Sequence, residues 1–453
     1  MDVIVVGGGA TGLAAAYLLR RNGADVTVLE ASPEPGGLLS TFEVGEKAEA
    51  GEGARLEYFY HHFFTHDTEI NWLLGELGLE DRAIFRPTTM GMMRGGEIYP
   101  FDGPADVLTF GAMSIQARLR FGMSAAMLTY LPGFEDDEET SAMEWFRRWA
   151  GKEATETIWE PMMDIKFGDA ADQIPIAWMA GRLRQRARSR DGTEEKLGYL
   201  KGSLQVLVDR LVEVLREEGV EVRCDVPVEK FTTSDGRVTG VQTPEETLEA
   251  DAVLSTIPTP ILAGLVEDIN GQYASSLREI EYMGAICTIL SMEEPLSPVY
   301  WLNVADPGYS FGGVIEQTHL IPPKEYGGRH LAYLSRYVRH DHPLWSKDGE
   351  ELLGQQLGEL KRLFGRGVRP IVNDHWIFRG RFAAPITGLK FSEKIPSYDT
   401  PIPGLYMAAM PHVYPDERST NNSIKIAAGV IEAMGLNSGF VPEGTSLADT
   451  FGR

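Results

Sequence analysis

The sequence is short of cysteine, of positive charge and of long hydrophobic runs, and each shortage excludes a class of protein. Its two cysteines, Cys224 and Cys287, are far apart and have no metal or redox spacing, so we expect free buried thiols, a reducing cytoplasmic compartment and no metal site. Acidic residues outnumber basic ones by 66 to 42, and the formal net charge is −24. We therefore expect no nucleic acid partner, because neutralising phosphates requires a basic surface.

The most apolar stretch, Val107 to Leu131, is too polar to cross a membrane, because Gln116, Arg118 and Arg120 interrupt it. We predict a helical cover over a substrate domain, with peripheral contact to a membrane or an apolar substrate as the alternative. The N-terminus leads directly into a core strand, so we expect no signal peptide. A chain of 453 residues exceeds one ordinary core, and we expect two domains. The composition leaves the oligomeric state open.

The first thirty residues have the pattern of a nucleotide-binding unit. Val3 to Val6 predict a buried parallel strand. Gly7, Gly9 and Gly12 follow in the G-x-G-x-x-G spacing, in which the glycines allow a tight turn, close approach of a pyrophosphate and close packing of the next helix. Glu30 ends a second predicted strand, where a carboxylate accepts hydrogen bonds from ribose hydroxyls. The order of these elements predicts a bound dinucleotide.

The continuation from Glu30 to Gly36-Gly37 and beyond resembles the FAD-dependent amine oxidase and protoporphyrinogen oxidase superfamily, including its branch similar to UDP-galactopyranose mutase. In this superfamily a second glycine pair wraps the rest of the dinucleotide. Leu38 stands where many members have an arginine, and Ser419 replaces a usual glycine in the last cofactor segment. The resemblance implies non-covalent FAD. The predicted cofactor-binding residues are Gly7, Gly9, Ala10, Thr11, Gly12, Glu30, Ala31, Gly36, Gly37, Leu38, Leu39, Val226, Thr256, Asp416, Arg418, Thr420, Asn421 and Ile424.

The same resemblance predicts an α/β protein with two interleaved domains. A Rossmann-like FAD-binding domain, with a parallel sheet and helices, is expected from residues 1–80, 191–270 and 396–435. An α+β substrate domain with an antiparallel sheet is expected from residues 81–190 and 271–395. A flexible tail is expected over residues 436–453. The arginines of 182–190, which recur with period two, are interpreted as an exposed face or loop, with binding of an acidic substrate as the alternative.

The candidate catalytic residues are mostly polar groups near predicted cofactor segments. His61 and His62 belong to a family-like segment, and histidine exchanges protons near neutral pH. Because successive side chains of an extended segment point to opposite faces, we expect one histidine, His62, to be functional and the other to be packed. Lys166 is expected to meet substrate or a protein carboxylate. The full predicted set is His62, His61, Tyr60, Lys166, His319, Arg336, Tyr337 and Arg379.

The resemblance implies a soluble FAD-dependent oxidoreductase that oxidises a small polar organic substrate by hydride transfer to flavin N5. Many amine oxidases have a lysine on the strand that opens the second substrate-domain segment. Here that strand, Tyr282 to Leu290, has none, so we expect simple amines to be poor substrates. The alternatives are a non-redox enzyme resembling UDP-galactopyranose mutase, a carotenoid-desaturase-like enzyme, and a flavin-binding protein without turnover.

Overall fold

A computed structural model describes residues 1–44, 54–188, 190–191, 194–365 and 372–439. Within these ranges, no helix combines the length and apolar character needed to span a bilayer. The strands are β1 Asp2–Val6, β2 Asp25–Leu29, β3 Thr41–Glu43, β4 Arg55–Glu57, β5 Phe63–Phe64, β6 Ala83–Pro87, β7 Met90–Arg94, β8 Glu97–Pro100, β9 Arg190–Asp191, β10 Glu194–Leu200, β11 Glu221–Arg223, β12 Lys230–Ser234, β13 Arg237–Gln242, β14 Thr247–Glu249, β15 Ala252–Ser255, β16 Tyr282–Met292, β17 Trp301–Val304, β18 Gly313–Glu316, β19 His330–Val338, β20 Val372–Pro385 and β21 Leu405–Met407.

The helices cover both sheets and also form a separate layer between residues 104 and 188. They are α1 Ala10–Arg21, α2 Thr68–Glu76, α3 Pro104–Thr109, α4 Ile115–Tyr130, α5 Ala142–Trp149, α6 Lys152–Ala154, α7 Glu160–Phe167, α8 Ile176–Arg188, α9 Gln205–Glu217, α10 Thr259–Val266, α11 Gly271–Arg278, α12 Gln317–Leu320, α13 Pro343–Ser346, α14 Gly349–Leu363 and α15 Thr420–Ala433.

A parallel sheet in the order β11-β2-β1-β15-β21 is formed by strands from the segments predicted as the cofactor-binding domain. Its central strand is buried from Val3 to Val6, as an apolar run covered on both faces should be. Helix α1 packs between α15 and α9 on one side of this sheet. Strands from the beginning, middle and end of the chain are therefore adjacent, and their carboxyl ends share one edge.

A larger sheet in the order β20-β16-β19-β18-β17-β7-β8 is formed by strands from the segments predicted as the substrate domain. Its pairs are antiparallel except β17 with β7, which are parallel. Strand β16 is buried along its whole length, because β19 and β20 flank it and α14 and the cofactor domain cover its faces. The predicted fold class, an α/β protein that combines a parallel sheet with antiparallel pairing, is confirmed; the prediction of a purely antiparallel second sheet is wrong at one pair, because β17 and β7 are parallel.

Some local predictions need correction. The arginines of 182–188 lie on helix α8, where a spacing of two residues places successive side chains on different sides of the helix. Arg190 follows in β9. Cys287 is buried, but Cys224 is only half-buried. Asn437, at the start of the predicted tail, accepts a hydrogen bond from Asn22 Nδ2 at 2.6 Å. The remainder of that tail, residues 440–453, lies outside the described residues.

The predicted helical cover, Val107 to Leu131, falls in α3 and α4, and only some of its apolar side chains are buried. Leu128 and Phe121 are buried, whereas Ile115, Leu119 and Met123 are exposed on the opposite face of α4. The side chain of Arg118 donates to the carbonyls of Met113 and Leu108, at 2.9 and 2.8 Å. The stretch is thus an amphipathic cover with an exposed apolar stripe.

Glu57, the last residue of β4, is a buried carboxylate that joins the two domains. Its oxygens accept hydrogen bonds from Tyr199 OH at 2.6 Å and from the backbone N–H of Leu204 at 2.7 Å. Tyr333 OH, from the large sheet, donates to its backbone carbonyl at 2.8 Å. Burial raises the pKa of Glu57 to about 7, against the lowering effect of the two side-chain hydrogen bonds.

We predict that Glu57→Gln removes a pH dependence of stability. A carboxyl with a raised pKa stabilises the fold when protonated, and this contribution is lost as pH rises from 4.5 to about 7. A rise of that size corresponds to at most about 3 kcal/mol. The glutamine mimics the protonated acid, so the variant should match the wild type at pH 5 and have a higher thermal midpoint at pH 8. A lower midpoint than the wild type at pH 8 would contradict this prediction.

Candidate active site

The two glycine segments meet at the carboxyl edge of the parallel sheet. Gly36 donates its N–H to the Gly8 carbonyl at 2.9 Å, and Gly9 pairs with Gly36 in a β-bridge. A Cβ on Gly12 would lie 1.9 Å from the Gly7 carbonyl oxygen, so α1 can approach β1 only with glycine at this position. A Cβ on Gly9 would meet nothing closer than 3.9 Å. The space over this turn therefore admits a phosphate at the uncapped N-terminus of α1.

Glu30 is held at the end of β2 in a position suited to a ribose. Its two carboxylate oxygens accept hydrogen bonds from Gly8 N at 2.7 Å and Ser32 N at 2.8 Å. Each carboxylate oxygen keeps a further lone pair for a hydroxyl donor. Val226 donates its N–H to the Glu30 carbonyl at 2.9 Å, and Thr256 Oγ1 donates to the Val6 and Gly7 carbonyls, each at 3.1 Å. The middle segment thus lies against the first one.

The last predicted cofactor segment leads into α15, which Ser419 caps by accepting a hydrogen bond from Asn422 N at 3.1 Å. Thr420 Oγ1 is buried and has no hydrogen-bond partner among the described residues, so a ligand here could supply one. Asn421 already binds α2, because its side chain accepts from Ile70 N and donates to Glu69. Asp416 pairs with Lys425 at 3.1 Å.

The remaining predicted cofactor residues lie along the same edge. Ala10 and Thr11 open α1, Ala31 is exposed after Glu30, and Leu38 and Leu39 form a turn after the second glycine pair. Ile424 is buried in α15. The open phosphate turn, the carboxylate of Glu30 and the unpartnered hydroxyl of Thr420 together fit an FAD molecule extended along this edge.

A cavity of about 170 Å³ lies next to this edge and is lined by α7, α8, β17 and the segment that leads into α15. Its wall combines aromatic and sulfur-containing side chains with an unusual number of charges. The apolar part comes from β5, α7, α8 and β17 and from the residue before α7. Its members include Phe64, Trp159, Met162, Met163, Trp178, Met179 and Trp301.

Four basic side chains line this cavity, although the whole chain is strongly acidic. Lys166 and Arg182 both form ion pairs with Glu417. Arg186 pairs with Glu195 at 3.6 Å. Arg418 donates a hydrogen bond to Tyr337 OH, but its Nε is buried without a hydrogen-bond partner among the described residues. The wall therefore carries more positive than negative charge and has an unused donor.

Burial and neighbouring charge compete at the Lys166–Glu417 pair. Burial lowers the pKa of Lys166 to about 7; Glu417 raises it, and the charges of Arg182 and Arg418 lower it further. Burial alone would raise the pKa of Glu417, but Lys166 and Arg182 outweigh this effect and hold that pKa below its ordinary value. The Lys166 ammonium also lies 4.8 Å from the centre of the Trp178 ring. Glu417 is therefore ionised at neutral pH, whereas Lys166 gains or loses its proton close to neutral pH.

His61 and His62 both line the cavity, so the expected division of the two between opposite faces is wrong. Residues 60–62 precede β5 without being in a strand, and the alternation of an extended chain does not hold there. His61 Nδ1 lies 2.6 Å from the Phe59 carbonyl, which assigns the proton to Nδ1 and leaves Nε2 as a free acceptor. His62 Nδ1 lies 3.3 Å from Tyr300 OH. Burial lowers the pKa of His61 to about 3 and that of His62 to about 4.

Of the predicted catalytic residues, Tyr60, His61, His62, Lys166 and Tyr337 line the cavity. Three others lie outside the set of described residues that form its wall. His319 Nε2 lies 2.8 Å from the Ser297 carbonyl. Arg336 pairs with Asp164 at 2.9 Å, and Arg379 donates to the Lys347 carbonyl at 2.7 Å. Each has a structural partner elsewhere, so we remove these three from the candidate site.

Sequence reasoning missed several cavity residues. Arg182 and Arg186 were interpreted as part of an exposed series, but the spacing of four residues brings both to one face of α8. Trp178 lies on the same face, because it precedes Arg182 by four residues. A helical interpretation of residues 176–188 would have found all three. Glu417 and Trp301 have no comparable local pattern, and only the tertiary structure brings them here.

Comparison with known proteins supports the resemblance to a flavoprotein family. A family model described as flavin containing amine oxidoreductase matches residues 10–412. The protein named protoporphyrinogen oxidase 2, chloroplastic/mitochondrial, of Arabidopsis thaliana is 23% identical over 462 aligned residues, which cover 90% of this chain and 89% of that protein. The superfamily resemblance inferred from the sequence is confirmed.

Two solved structures are similar in fold. An oxidoreductase from Methanosarcina mazei superposes with a TM-score of 0.72 at 19% identity, covering 96% of this chain and 100% of that one. Reduced UDP-galactopyranose mutase superposes with a TM-score of 0.72 at 13% identity, covering 96% and 94%. At these identities the similarity shows the fold alone.

We predict that the cavity binds small organic anions more weakly as pH rises through about 7, because Lys166 then loses its proton. The loss of one charge-assisted hydrogen bond should weaken binding about tenfold or more. Quenching of tryptophan fluorescence by benzoate, titrated from pH 6 to 8.5, measures this effect. Lys166→Arg should remove the pH dependence, since arginine stays protonated. Equal affinities for the wild type across this range would contradict the prediction.

Proposed function

This chain belongs to the family of flavin containing amine oxidoreductases, and we propose that it uses non-covalent FAD to oxidise a small organic anion by hydride transfer to the flavin. The observation that carries the proposal is the charge of the cavity: four cations and one carboxylate line it, with aromatic walls between them. Such a wall attracts a carboxylate attached to an apolar body. It repels a protonated amine, which agrees with the lysine-free strand β16.

The lining of the cavity favours a polar substrate over a carotenoid-like polyene, because a polyene has no group that the four cationic side chains could bind.

The chain's own residues would hold the cofactor and prepare the substrate. The glycine turns and the α1 N-terminus would bind the pyrophosphate, Glu30 the ribose, and the segment that begins α15 the flavin end. Bound FAD supplies the acceptor for the hydride. Arg418 would orient the substrate anion, and the aromatic wall would exclude water from it.

His61 is the better candidate for the proton acceptor, although His62 was expected to take this role. Oxidation of an alcohol or amine carbon releases a proton from its O–H or N–H when the hydride leaves. His61 Nε2 is unprotonated, since Nδ1 donates to the Phe59 carbonyl at 2.6 Å. Burial is the main cause of the low pKa of His61, and the positive charge of Arg418 lowers it further. A substrate carboxylate that neutralises Arg418 would therefore make His61 more basic.

A substrate panel tests the proposal. Flavin reduction under anaerobic conditions should be fast with some member of a series of 2-hydroxy acids and 2-amino acids. It should be at least tenfold slower with the corresponding uncharged alcohols and with benzylamine or putrescine. Rapid reduction by simple amines, with no reduction by any acid, would contradict an anionic substrate.

The mode of FAD attachment has a direct test. We expect acid precipitation of the purified yellow protein to release all of the flavin into the supernatant. Glu30→Ala should weaken FAD binding about tenfold or more, through the loss of charge-assisted hydrogen bonds. Flavin that remains with the pellet would show a covalent link.

The two histidines can be separated by kinetics. We predict that His61→Ala slows flavin reduction by about 10²-fold with the fastest acid of the panel, whereas His62→Ala slows it less than tenfold. Both variants should keep the wild-type FAD content and thermal midpoint, which serve as controls for folding. The reverse order of effects would transfer the role to His62, and two normal rates would make the pair structural.

A further inference from the structure

The carboxylate of Glu417 occupies a position in the cavity wall that a substrate carboxylate could also take. It lies between the Lys166 ammonium and the Arg182 guanidinium and forms an ion pair with each. These two cations come from α7 and α8 of the substrate domain, whereas Glu417 comes from the segment that leads into α15 of the cofactor domain. One carboxylate from another part of the chain thus offsets part of the positive charge of these two cations.

The segment that carries Glu417 is free of regular structure. Residues 417–419 connect the turn 410–413 to α15 and belong to no helix or strand. The Glu417 backbone carbonyl accepts a hydrogen bond from Asn422 Nδ2 at 2.6 Å, so the backbone is anchored independently of the side chain. The carboxylate can therefore change its rotamer without unfolding a secondary structure element.

Arg418 provides a separate observation that a ligand belongs here. Its Nε is buried and has no hydrogen-bond partner among the described residues, although Nη2 donates to Tyr337 OH. A buried guanidinium N–H without an acceptor is costly. An anion in the cavity would satisfy it, and the aromatic wall formed by Trp178 and Trp301 would contact the rest of that ligand.

We propose that Glu417 is a resident carboxylate that occupies the Lys166–Arg182 pair in the empty cavity and is displaced by the carboxylate of the substrate. This inference rests on the proposed function. Two carboxylates between the same cations repel each other, so Glu417 lowers the affinity for every anion and restricts the cavity to a ligand that can replace it. Glu417 is then a specificity-determining residue, and its removal strengthens anion binding instead of weakening it.

The sign of this effect distinguishes competition from a structural ion pair. Benzoate and its neutral analogue benzamide are titrated into FAD-loaded protein at pH 6 and 7.5, and perturbation of the flavin absorbance gives the dissociation constants. Loss of Glu417 alone would also lower the pKa of Lys166, because Glu417 raises it, so the comparison is made with arginine at position 166, which stays protonated in this range. Glu417→Gln in a Lys166→Arg background should bind benzoate at least tenfold more tightly than Lys166→Arg alone, and it should bind benzamide equally. Arg182→Gln should weaken benzoate binding at least tenfold.

A matched control is a carboxylate that pairs with the same helix. Glu135, which lies before α5, forms an ion pair with Arg184 of α8 at 2.9 Å, and neither residue lines the cavity. Glu135→Gln removes the same charge from the chain and should leave the benzoate constant unchanged. An equal tightening in this control would mean that net charge alone acts, and the inference would be overturned.

The remaining outcomes separate the inference from the proposed function. If benzoate binds neither the wild type nor Glu417→Gln, the anionic substrate site itself is wrong. If benzoate binds the wild type and Arg182→Gln weakens that binding, but Glu417→Gln in the Lys166→Arg background does not tighten it, only the inference of a resident carboxylate is overturned.

A crystal structure of the FAD-loaded wild type with benzoate provides a test that needs no variant. It should show benzoate at Lys166 and Arg182 with Glu417 rotated away, and a retained Glu417 bridge would overturn the inference.

Discussion

The close approach of α1 to β1 is the constraint on which the rest of the molecule depends. A side chain at position 12 would collide with the Gly7 carbonyl, so the helix can lie against the strand only because glycine is present. This contact places the α1 N-terminus at the edge where β2, β15 and β21 also end. Glu30, Thr256 and the segment before α15 reach the same edge for that reason. The cofactor site is thus a consequence of backbone packing in a parallel sheet.

The cavity between the domains depends on a different kind of interaction, a local excess of positive charge in an acidic protein. Helices α7 and α8 contribute three of its cations, and the segment that leads into α15 contributes Arg418 and Glu417. Two ion pairs, from Glu417 to Lys166 and to Arg182, connect these helices to the segment before α15. A buried ion pair adds little net stability after desolvation, and we propose that these pairs serve substrate recognition.

The histidine segment shows how packing and chemistry are linked. Glu57 anchors the segment at its start through Tyr199, Leu204 and Tyr333, and β5 holds its end. Between these anchors the chain is irregular, so both imidazoles reach the cavity. Burial keeps them neutral, and the Phe59 carbonyl selects the tautomer of His61. The sequence pattern identified both histidines as candidates, and both line the cavity.

The sequence by itself determined the cofactor-binding half of the protein. The glycine spacing, the strand and helix patterns and Glu30 are local features, so this strand–turn–helix–strand unit could be predicted from residues that are neighbours in sequence. The antiparallel sheet was expected only from the family resemblance. The substrate cavity was decided only by the tertiary structure. Glu417 and Lys166 are 251 residues apart, and nothing in the sequence near either residue indicates the other. Likewise, His319, Arg336 and Arg379 look catalytic by residue type, but each finds a partner outside the cavity. A charged side chain acquires its role from what surrounds it, and for residues distant in sequence only folding sets those surroundings.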